Sequence, residues 1–242
     1  MKSDGVVKEL SRSWRRLRWH SKRRFGRIDR AIIEKYLDGP PVRKLHIGCG
    51  DHLLDGWLNA DLFPRSPLVL HLDSTEPFPF DDGQFDYIFS EHMIEHISYP
   101  QGLQMLSQCH RVLKRNGTIR ISTPSLPFLI ELYRANASEL QRAYVRWATE
   151  QFLGFAPRDH PTFVINNFVR DWGHQFIYDD EILSASLRQA GFTEVVRYEL
   201  NESGDEMLRN LENERRMPPG FLRLETMTLQ AKKGPRAAHS PK

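Results

Sequence analysis

The chain has 242 residues, a net charge of +3 and 40% hydrophobic residues, values typical of one soluble globular domain with short extensions. No apolar run approaches the roughly 18 residues of a membrane span, and the Arg-rich start has no apolar segment of the secretory kind. Two cysteines, Cys49 and Cys109, are too few for a disulfide scaffold, so the composition favours a cytoplasmic protein.

Residues 1–30 form a basic arm. They hold eleven Lys or Arg and three Asp or Glu, a net charge of +8, so the rest of the chain must carry −5 to reach the total of +3. Val7, Leu10, Trp14 and Leu17 recur at spacings of three and four between arginines, which predicts a basic amphipathic helix. This helix could pack on its own domain, hold the protein at the periphery of an anionic membrane, or contact nucleic acid.

The first two predicted strands, residues 43–47 and 57–62, are joined through a Gly48-Cys49-Gly50 turn. Glycines after a strand let the backbone approach a ligand closely, and Asp61 at the end of the second strand could accept hydrogen bonds from both ribose hydroxyls. The pattern therefore predicts an adenosine-containing cofactor. It is not the dinucleotide fingerprint, because Leu53 stands in the place of the third glycine.

Three more strands are predicted further along the chain. The third ends at Asp73, the fourth spans residues 85–90, and the fifth spans residues 118–123. The Asn116-Gly117 pair before the fifth strand predicts the end of the intervening helix. Strands that alternate with helices predict a parallel sheet that binds its ligands at the carboxyl ends of the strands.

The segment after the fourth strand contains His92, Glu95 and His96 in the order H-x-x-E-H. On a helix, positions i, i+3 and i+4 share one face, so two imidazoles and a carboxylate could bind one ion. Taken alone, this spacing is also the zinc signature of an inverted-motif metalloprotease.

Together these segments resemble the class I S-adenosylmethionine-dependent methyltransferases, and more narrowly the type 11-like, small-molecule branch with F-D-x-I-x-S followed by an E-H pair. The resemblance covers about residues 44–231 and makes a protease remote. It implies an α/β, Rossmann-like sheet, mostly parallel with an antiparallel last strand. By the same resemblance, residues 174–200 form the last helix and sixth strand, and residues 223–233 form the closing strand.

The resemblance also implies that S-adenosyl-L-methionine is the cofactor, and it assigns contacts by motif position. One departure concerns residues 51–55, which leave no room for the helix that usually joins the first two strands, so a helix dipole directed at the cofactor is not expected. The candidate cofactor contacts are Gly48 and Gly50 under the methionine moiety, Asp61 at the ribose, Asp73 and Ser74 at the adenine, Ser90 at the sulfonium, and Cys49 and Leu62 beside them.

Histidines are the candidates for catalysis and metal binding. An oxygen acceptor of high pKa needs a general base or a metal, and His92 and His174 lie where the acceptor is expected. In the ubiquinone-pathway O-methyltransferases and the plant small-RNA 2′-O-methyltransferases, a similar pattern binds a divalent ion. Glu95, His96 and His174 match that pattern, whereas His92 stands where those families have glutamate; all four are candidate ligands. Alternatively, Glu95 and His96 only orient the loop and pack the helix.

Residues 125–172 are predicted to form a lid that determines acceptor specificity. The first half has helical apolar spacing, whereas the second half mixes aromatic, polar and charged residues without a clear period. A structural excursion packed on the sheet is the alternative. The candidate acceptor contacts in this insertion are His160, Asn166, Asn167 and Asp171. The alternative for each is a polar side chain that lies at the surface or satisfies its own loop.

The predicted organisation is the basic arm 1–30, a methyltransferase domain 31–232 and a disordered tail 233–242. The predicted function is S-adenosylmethionine-dependent methylation of a small molecule at oxygen, with a sugar or glycan intermediate as the leading acceptor. Two alternatives stay open. The chain could methylate RNA with the help of the arm, or it could be a catalytically inactive, cofactor-binding regulatory protein.

Overall fold

The computed structural model describes residues 27–234. Nearly all of the predicted basic arm, and all but the first two residues of the predicted tail, therefore lie outside the described residues. Within residues 27–234, no helix has both the length and the apolar character needed to cross a membrane.

A seven-stranded sheet forms the centre of the described structure. The strands follow the order β3-β2-β1-β4-β5-β7-β6, and of these seven only β7 runs antiparallel to its neighbours. The predicted Rossmann-like architecture is confirmed. The strands are β1 (Lys44–Ile47), β2 (Leu58–Asp61), β3 (Leu70–His71), β4 (Phe85–Glu91), β5 (Leu113–Pro124), β6 (Phe192–Tyr198) and β7 (Thr226–Lys233).

Some of the helices begin at side chains that accept hydrogen bonds from free backbone N–H groups. Ser138 Oγ accepts from Gln141 N at 3.2 Å, and Asp179 accepts from Ile182 N at 2.8 Å. Short 3-10 turns lie at Ile94–His96, Glu206–Leu208 and Glu214–Arg216. The helices are α1 (Arg27–Leu37), α2 (Tyr99–Val112), α3 (Leu126–Leu132), α4 (Glu139–Phe152), α5 (Pro161–Arg170), α6 (Asp180–Gln189) and α7 (Phe221–Glu225).

The main hydrophobic core lies between one face of the sheet and helices α1, α2 and α6. Alternate strand residues such as Leu45, Ile88 and Ile119 point into it and are fully buried. No helix joins β1 to β2, as the short spacing predicts. The lid insertion has a second core of its own, in which α3, α4 and α5 pack together with Phe221 of α7.

The opposite face of β4 and β5 is covered by residues 199–220, which connect β6 to α7 and β7. A fully buried ion pair holds this connection to the sheet. The Arg120 guanidinium donates from Nε and Nη2 to the two carboxylate oxygens of Glu212, at 2.6 and 3.0 Å. Glu212 also accepts from Ser122 Oγ at 2.6 Å and from Asn201 N at 2.9 Å. Each charge is therefore hydrogen-bonded, as buried charges require.

Two element boundaries were predicted wrongly. Helix α2 ends at Val112 rather than at Asn116-Gly117, because Asn116 adopts a φ of 60° inside β5, where the pairing with β4 shifts register. β3 ends at His71 rather than at Asp73. The pairing with β2 extends by one hydrogen bond, from Leu72 N to Asp61 O at 3.0 Å, before the chain turns away.

The second half of the lid is more regular than the sequence pattern indicates. Residues 161–170 form α5, which the polar and proline content concealed. Proline is tolerated in the first turn of a helix, where its missing N–H has no intrahelical partner. The His160 ring accepts from Thr162 N at 3.2 Å and caps this helix.

Candidate active site at the carboxyl ends of the strands

The loop after β1 is held against the end of β2 by short hydrogen bonds. Gly48 N donates to Ala60 O at 2.9 Å, and Gly50 N donates to Asp61 Oδ2 at 2.9 Å. Asp61 Oδ1 accepts from Phe63 N at 2.7 Å. Both glycines have positive φ, 73° and 51°, which few other residues adopt. Asp61 therefore fixes the shape of the glycine turn in addition to its predicted role at the ribose.

Space for a ligand lies at Gly50, where an added Cβ would meet no heavy atom within 4 Å. At Gly48 an added Cβ would lie only 2.4 Å from Met93 Cγ. The Met93 thioether also accepts from Ser74 Oγ at 3.5 Å. Met93 thus lies between Gly48, predicted to bind the methionine moiety, and Ser74, predicted to bind the adenine. No signal in the sequence would have identified Met93.

The other predicted cofactor residues lie at the same edge. Asp73 Oδ1 accepts from the N–H and the hydroxyl of Thr75, at 3.0 and 2.6 Å, and so shapes the loop after β3. The Ser90 hydroxyl is fully buried and has no hydrogen-bond partner among the described residues. Burial, followed by the neighbouring Asp61 carboxylate, raises the pKa of the Cys49 thiol to about 12, so Cys49 is a packing residue. Leu62 directly follows Asp61 at the end of β2.

We expect Asp61→Ala to weaken binding of S-adenosylmethionine by about 2–4 kcal/mol, because charge-assisted hydrogen bonds to two ribose hydroxyls and the support of the Gly50 turn are lost together. Isothermal titration calorimetry measures the loss. Asp73→Ala is the comparison, with a smaller effect expected because apolar contacts also hold an adenine. Unchanged affinity in Asp61→Ala would refute the assignment.

A cavity of about 300 Å³ lies at the same edge of the sheet, beside the ends of β4 and β5. Part of its wall is aromatic and comes from the lid insertion. The Trp147 and Phe152 ring centroids lie 5.4 Å apart, and those of Phe152 and Trp172 lie 5.0 Å apart. The polar lining consists of His92, Glu95, His96, His174, Arg216 and Glu225.

The lid residues predicted to contact an acceptor do not line this cavity. His160 caps α5, and Asn166 Nδ2 donates to Thr162 O at 2.8 Å within the same helix. Asn167 is buried beside them, and Asp171 ends the helix. Local helix capping and packing account for the positions of these four polar side chains, and their role as acceptor contacts stays a prediction. The aromatic residues of the insertion reach the cavity instead.

Glu95, His96 and His174 meet at the floor of the cavity, and one potential ligand atom from each lies within 4.8 Å of the others. Glu95 Oε2 accepts from Thr123 Oγ1 at 3.0 Å, whereas Glu95 Oε1 is buried without a partner among the described residues. The His174 Nδ1–H donates to Phe168 O at 2.7 Å, which leaves Nε2 free to act as a ligand. Because a carboxyl group with one unpartnered oxygen lies beside two imidazoles, the donor set fits a divalent metal ion.

The electrostatic state of these groups follows from burial. Burial raises the pKa of Glu95 to about 8. It lowers the pKa of His174 to about 4, with a smaller contribution from His96, and also lowers the pKa of His96 itself. Both imidazoles are therefore neutral near pH 7, the form in which histidine binds metals.

His92 does not join this set. Its φ of 47° places it before the 3-10 turn at Ile94–His96, so the predicted common helix face does not form. Its Nε2 forms a hydrogen bond with Thr226 Oγ1 at 2.8 Å, and its Nδ1 lies 3.5 Å from Glu95 Oε1. Burial lowers the pKa of His92 well below its usual value, and Arg216 adds to this effect. His92 lines the cavity beside the three clustered residues, and its role as a ligand stays a prediction.

Two polar residues of the cavity, Arg216 and Glu225, were not predicted as site residues. Glu225 directly precedes β7, and its Oε2 accepts from the Tyr144 hydroxyl at 2.5 Å. A signal was available for Glu225. In a sheet whose last strand is antiparallel, the first residues of that strand lie beside the carboxyl ends of the other strands, so an acid at this position reaches the ligand edge. No comparable signal marked Arg216.

The model of a methyltransferase domain family matches residues 57–121, from the start of β2 into β5, and this range includes Asp61, Asp73 and Ser90. This part of the chain therefore matches a methyltransferase domain, in agreement with the predicted class I S-adenosylmethionine-dependent methyltransferase. The match agrees with S-adenosylmethionine as the cofactor, which the glycine turn and Asp61 predict. No curated protein matches the sequence.

Solved structures similar to this chain include three methyltransferases. An S-adenosylmethionine-dependent methyltransferase from Archaeoglobus fulgidus shares 17% identity over 90% of this chain and 94% of its own, with a TM-score of 0.48. A possible histamine N-methyltransferase from Thermotoga maritima shares 17% identity over 90% and 97%, with a TM-score of 0.44. A phosphoethanolamine N-methyltransferase from Haemonchus contortus shares 16% identity over 86% and 52%, with a TM-score of 0.43.

Proposed function

We propose that the methyltransferase transfers a methyl group to a hydroxyl of a small, ring-bearing acceptor, such as a sugar or glycan intermediate. The observation that carries this proposal is the cavity at the strand ends, with its aromatic wall and its floor of carboxyl and imidazole groups. Aromatic faces pack against the C–H groups of a ring, and the carboxyl and imidazole acceptors on the floor can take hydrogen bonds from hydroxyls.

Methyl transfer from a sulfonium is an in-line displacement, so the enzyme contributes mainly by orientation and by excluding water. The Trp147, Phe152 and Trp172 rings from the lid insertion supply a wall that excludes water. Arg216 is the cationic group of the lining and can orient an acceptor oxygen.

We further propose that Glu95, His96 and His174 hold a divalent metal ion in the assembled site. When bound, such an ion lowers the pKa of an acceptor hydroxyl and orients it. Thr123 and the Phe168 carbonyl fix the Glu95 and His174 side chains in place. In this proposal His174 is a ligand. The predicted role of His92 or His174 as general base applies to an enzyme without a metal ion, and alanine substitution tests it.

The test is incubation of the enzyme with methyl-tritiated S-adenosylmethionine and a panel of methyl glycosides, with a structured RNA and a primary amine in parallel. We expect label in the glycosides as base-stable methyl ethers. Label confined to RNA would favour the rival RNA methyltransferase, and label confined to the amine would overturn methylation at oxygen. Binding of S-adenosylmethionine without transfer to any of the three would favour the inactive regulatory protein.

The basic arm should be separable from catalysis, because the cofactor residues and the cavity all follow β1. We expect deletion of residues 1–25, which leaves α1 intact, to spare S-adenosylmethionine affinity in calorimetry. We propose an anionic membrane surface as the partner of the arm, so the deletion should abolish salt-sensitive sedimentation with vesicles that contain phosphatidylserine. Equal sedimentation of both forms would refute the membrane role, and salt-sensitive binding to RNA that requires the arm would favour nucleic acid.

A further inference from the structure

We propose that Glu225 is the catalytic residue that accepts the hydroxyl proton of the acceptor during methyl transfer. This role rests on the proposed function, methylation at a hydroxyl. Glu225 lies outside the segment that matches the methyltransferase family and outside every motif of the cofactor site. Its position in the cavity follows from the antiparallel direction of β7, whose first residues lie at the ligand edge.

The Glu225 side chain is held in one position. The residue is only 2% exposed, and its backbone carbonyl accepts from Ser125 N at 2.9 Å, so the start of β7 is fixed to the end of β5. Its Oε2 accepts from the Tyr144 hydroxyl, and Tyr144 is itself fully buried among the Phe128, Trp147 and Phe221 rings of the lid core. A buried tyrosine is a rigid donor, so the carboxyl group has one defined orientation.

The second oxygen of Glu225 is available to a ligand. Oε1 has no hydrogen-bond partner among the described residues, and the neutral imidazole of His92 lies nearby, with Nδ1 at 3.9 Å. The other candidate bases in the cavity are already engaged. His92 Nε2 is hydrogen-bonded to Thr226, and His174 Nδ1 is hydrogen-bonded to the Phe168 carbonyl. Glu95 Oε1 and His174 Nε2 are assigned to the proposed metal ion, so Glu225 Oε1 remains available to take the proton of an acceptor.

The surroundings set the proton affinity of Glu225. Two side chains lie next to the Glu225 carboxyl group, Tyr144 from α4 and His92 from the end of β4. Two groups of the cavity lining can carry a charge near it, Arg216 of the Glu214–Arg216 turn and Glu95 of the Ile94–His96 turn. Burial raises the pKa of Glu225 to about 7, and the Tyr144 hydrogen bond and the Arg216 charge oppose this rise. A base whose pKa lies near the working pH combines a large ionised fraction with adequate proton affinity.

The step balances with S-adenosylmethionine as the methyl donor. The acceptor O–H bond breaks and its proton moves to Glu225 Oε1. An oxygen electron pair forms the new O–CH₃ bond while the S–CH₃ bond breaks, and the electron pair of that bond stays on sulfur. The products are a methyl ether, S-adenosylhomocysteine and a protonated Glu225, which then releases its proton to solvent.

The experiment compares Glu225→Gln, Tyr144→Phe and the control Glu131→Gln, an equal chemical change at an exposed ion pair on α3. The probes are methyl-tritiated S-adenosylmethionine and two acceptor sources, the methyl glycoside panel and a small-molecule cell extract. We expect Glu225→Gln to lower turnover by about 10²–10⁴-fold, with S-adenosylhomocysteine affinity and melting temperature close to those of the wild type. Glu131→Gln should behave as the wild type.

The pH profile separates a proton acceptor from a packing residue. A base must be ionised, so wild-type turnover should rise as the pH increases through about 7 and then level off. Glu225→Gln should lose this step. Tyr144→Phe should move its midpoint to higher pH, because the carboxylate loses a hydrogen bond that stabilises it. This shift tests the proposal even if Glu225→Gln fails to fold.

The outcomes separate the two proposals. If the wild type forms labelled methyl ethers and Glu225→Gln forms them at the same rate with the same pH profile, Glu225 is not the proton acceptor, and methylation at oxygen stands. If Tyr144→Phe leaves the midpoint unchanged, the proposal also falls. If the wild type labels only amines or carbon in either acceptor source, both the hydroxyl acceptor and the role of Glu225 are overturned.

Discussion

Chelation of divalent ions should lower the turnover of the enzyme by about 10³-fold or more, because a bound ion supplies several kcal/mol of charge stabilisation at the reacting oxygen. Added Mg²⁺ or Mn²⁺ should restore activity. The structural reason is the meeting of Glu95, His96 and His174, with an unpartnered carboxylate oxygen on Glu95. Metal content, measured by atomic emission, should fall in parallel with turnover.

Substitution tests the same site without a chelator. We expect Glu95→Gln and His174→Ala to lose metal and turnover together, while S-adenosylmethionine affinity stays nearly unchanged, because the adenosine contacts lie at other strand ends. His160→Asn is the matched control, since it alters a histidine that caps α5 outside the cavity and keeps a capping side chain. A metal-free enzyme that keeps full activity in chelator would eliminate the ion.

Glu212→Gln should lower the free energy of unfolding by about 3–5 kcal/mol, because it leaves the fully buried Arg120 guanidinium without its counter-charge. Urea denaturation followed by circular dichroism measures this loss. The matched control is Glu214→Gln, two residues along the chain, where the exposed ion pair with Arg223 contributes about 1 kcal/mol or less.

A double variant distinguishes a lost charge pair from lost packing. Replacing the pair by apolar residues, as in Arg120→Met with Glu212→Leu, should recover much of the stability, since neither partner then remains charged in the interior. If Glu212→Gln destabilises the protein no more than Glu214→Gln does, the pair contributes little, and apolar contacts such as Leu208 and Leu211 must hold the connection to the sheet.

The cofactor half of the molecule could be predicted from sequence because its determinants are local. Each strand is short, apolar and followed directly by the residues that face the ligand, as in the glycine turn after β1 and Asp61 at the end of β2. The absence of a helix between β1 and β2 could be predicted from the small number of residues that join them. The errors at Asn116 and Asp73 concern boundaries, where positive-φ residues and single hydrogen bonds decide the outcome.

The acceptor half could be predicted only in part. Glu95, His96 and His174 came from a motif, and the structure brings them together across separate segments. His92 shares their spacing but not their geometry, since one backbone dihedral at φ 47° moves it out of the set. Arg216 and Glu225 lie more than a hundred residues from the H-x-x-E-H segment and reach it only through tertiary folding, which periodicity does not reveal.

Because β7 is antiparallel, the residues predicted to bind the cofactor and the polar residues Arg216 and Glu225 of the cavity come from different parts of the chain. All the predicted cofactor contacts precede β5, whereas Arg216 and Glu225 follow β6. Substitutions in residues 199–225 can therefore alter the acceptor without changing any predicted cofactor contact. In the proposed site, a new acceptor preference is accessible through one surface connection and the short helix that ends at Glu225, while the predicted cofactor contacts stay intact.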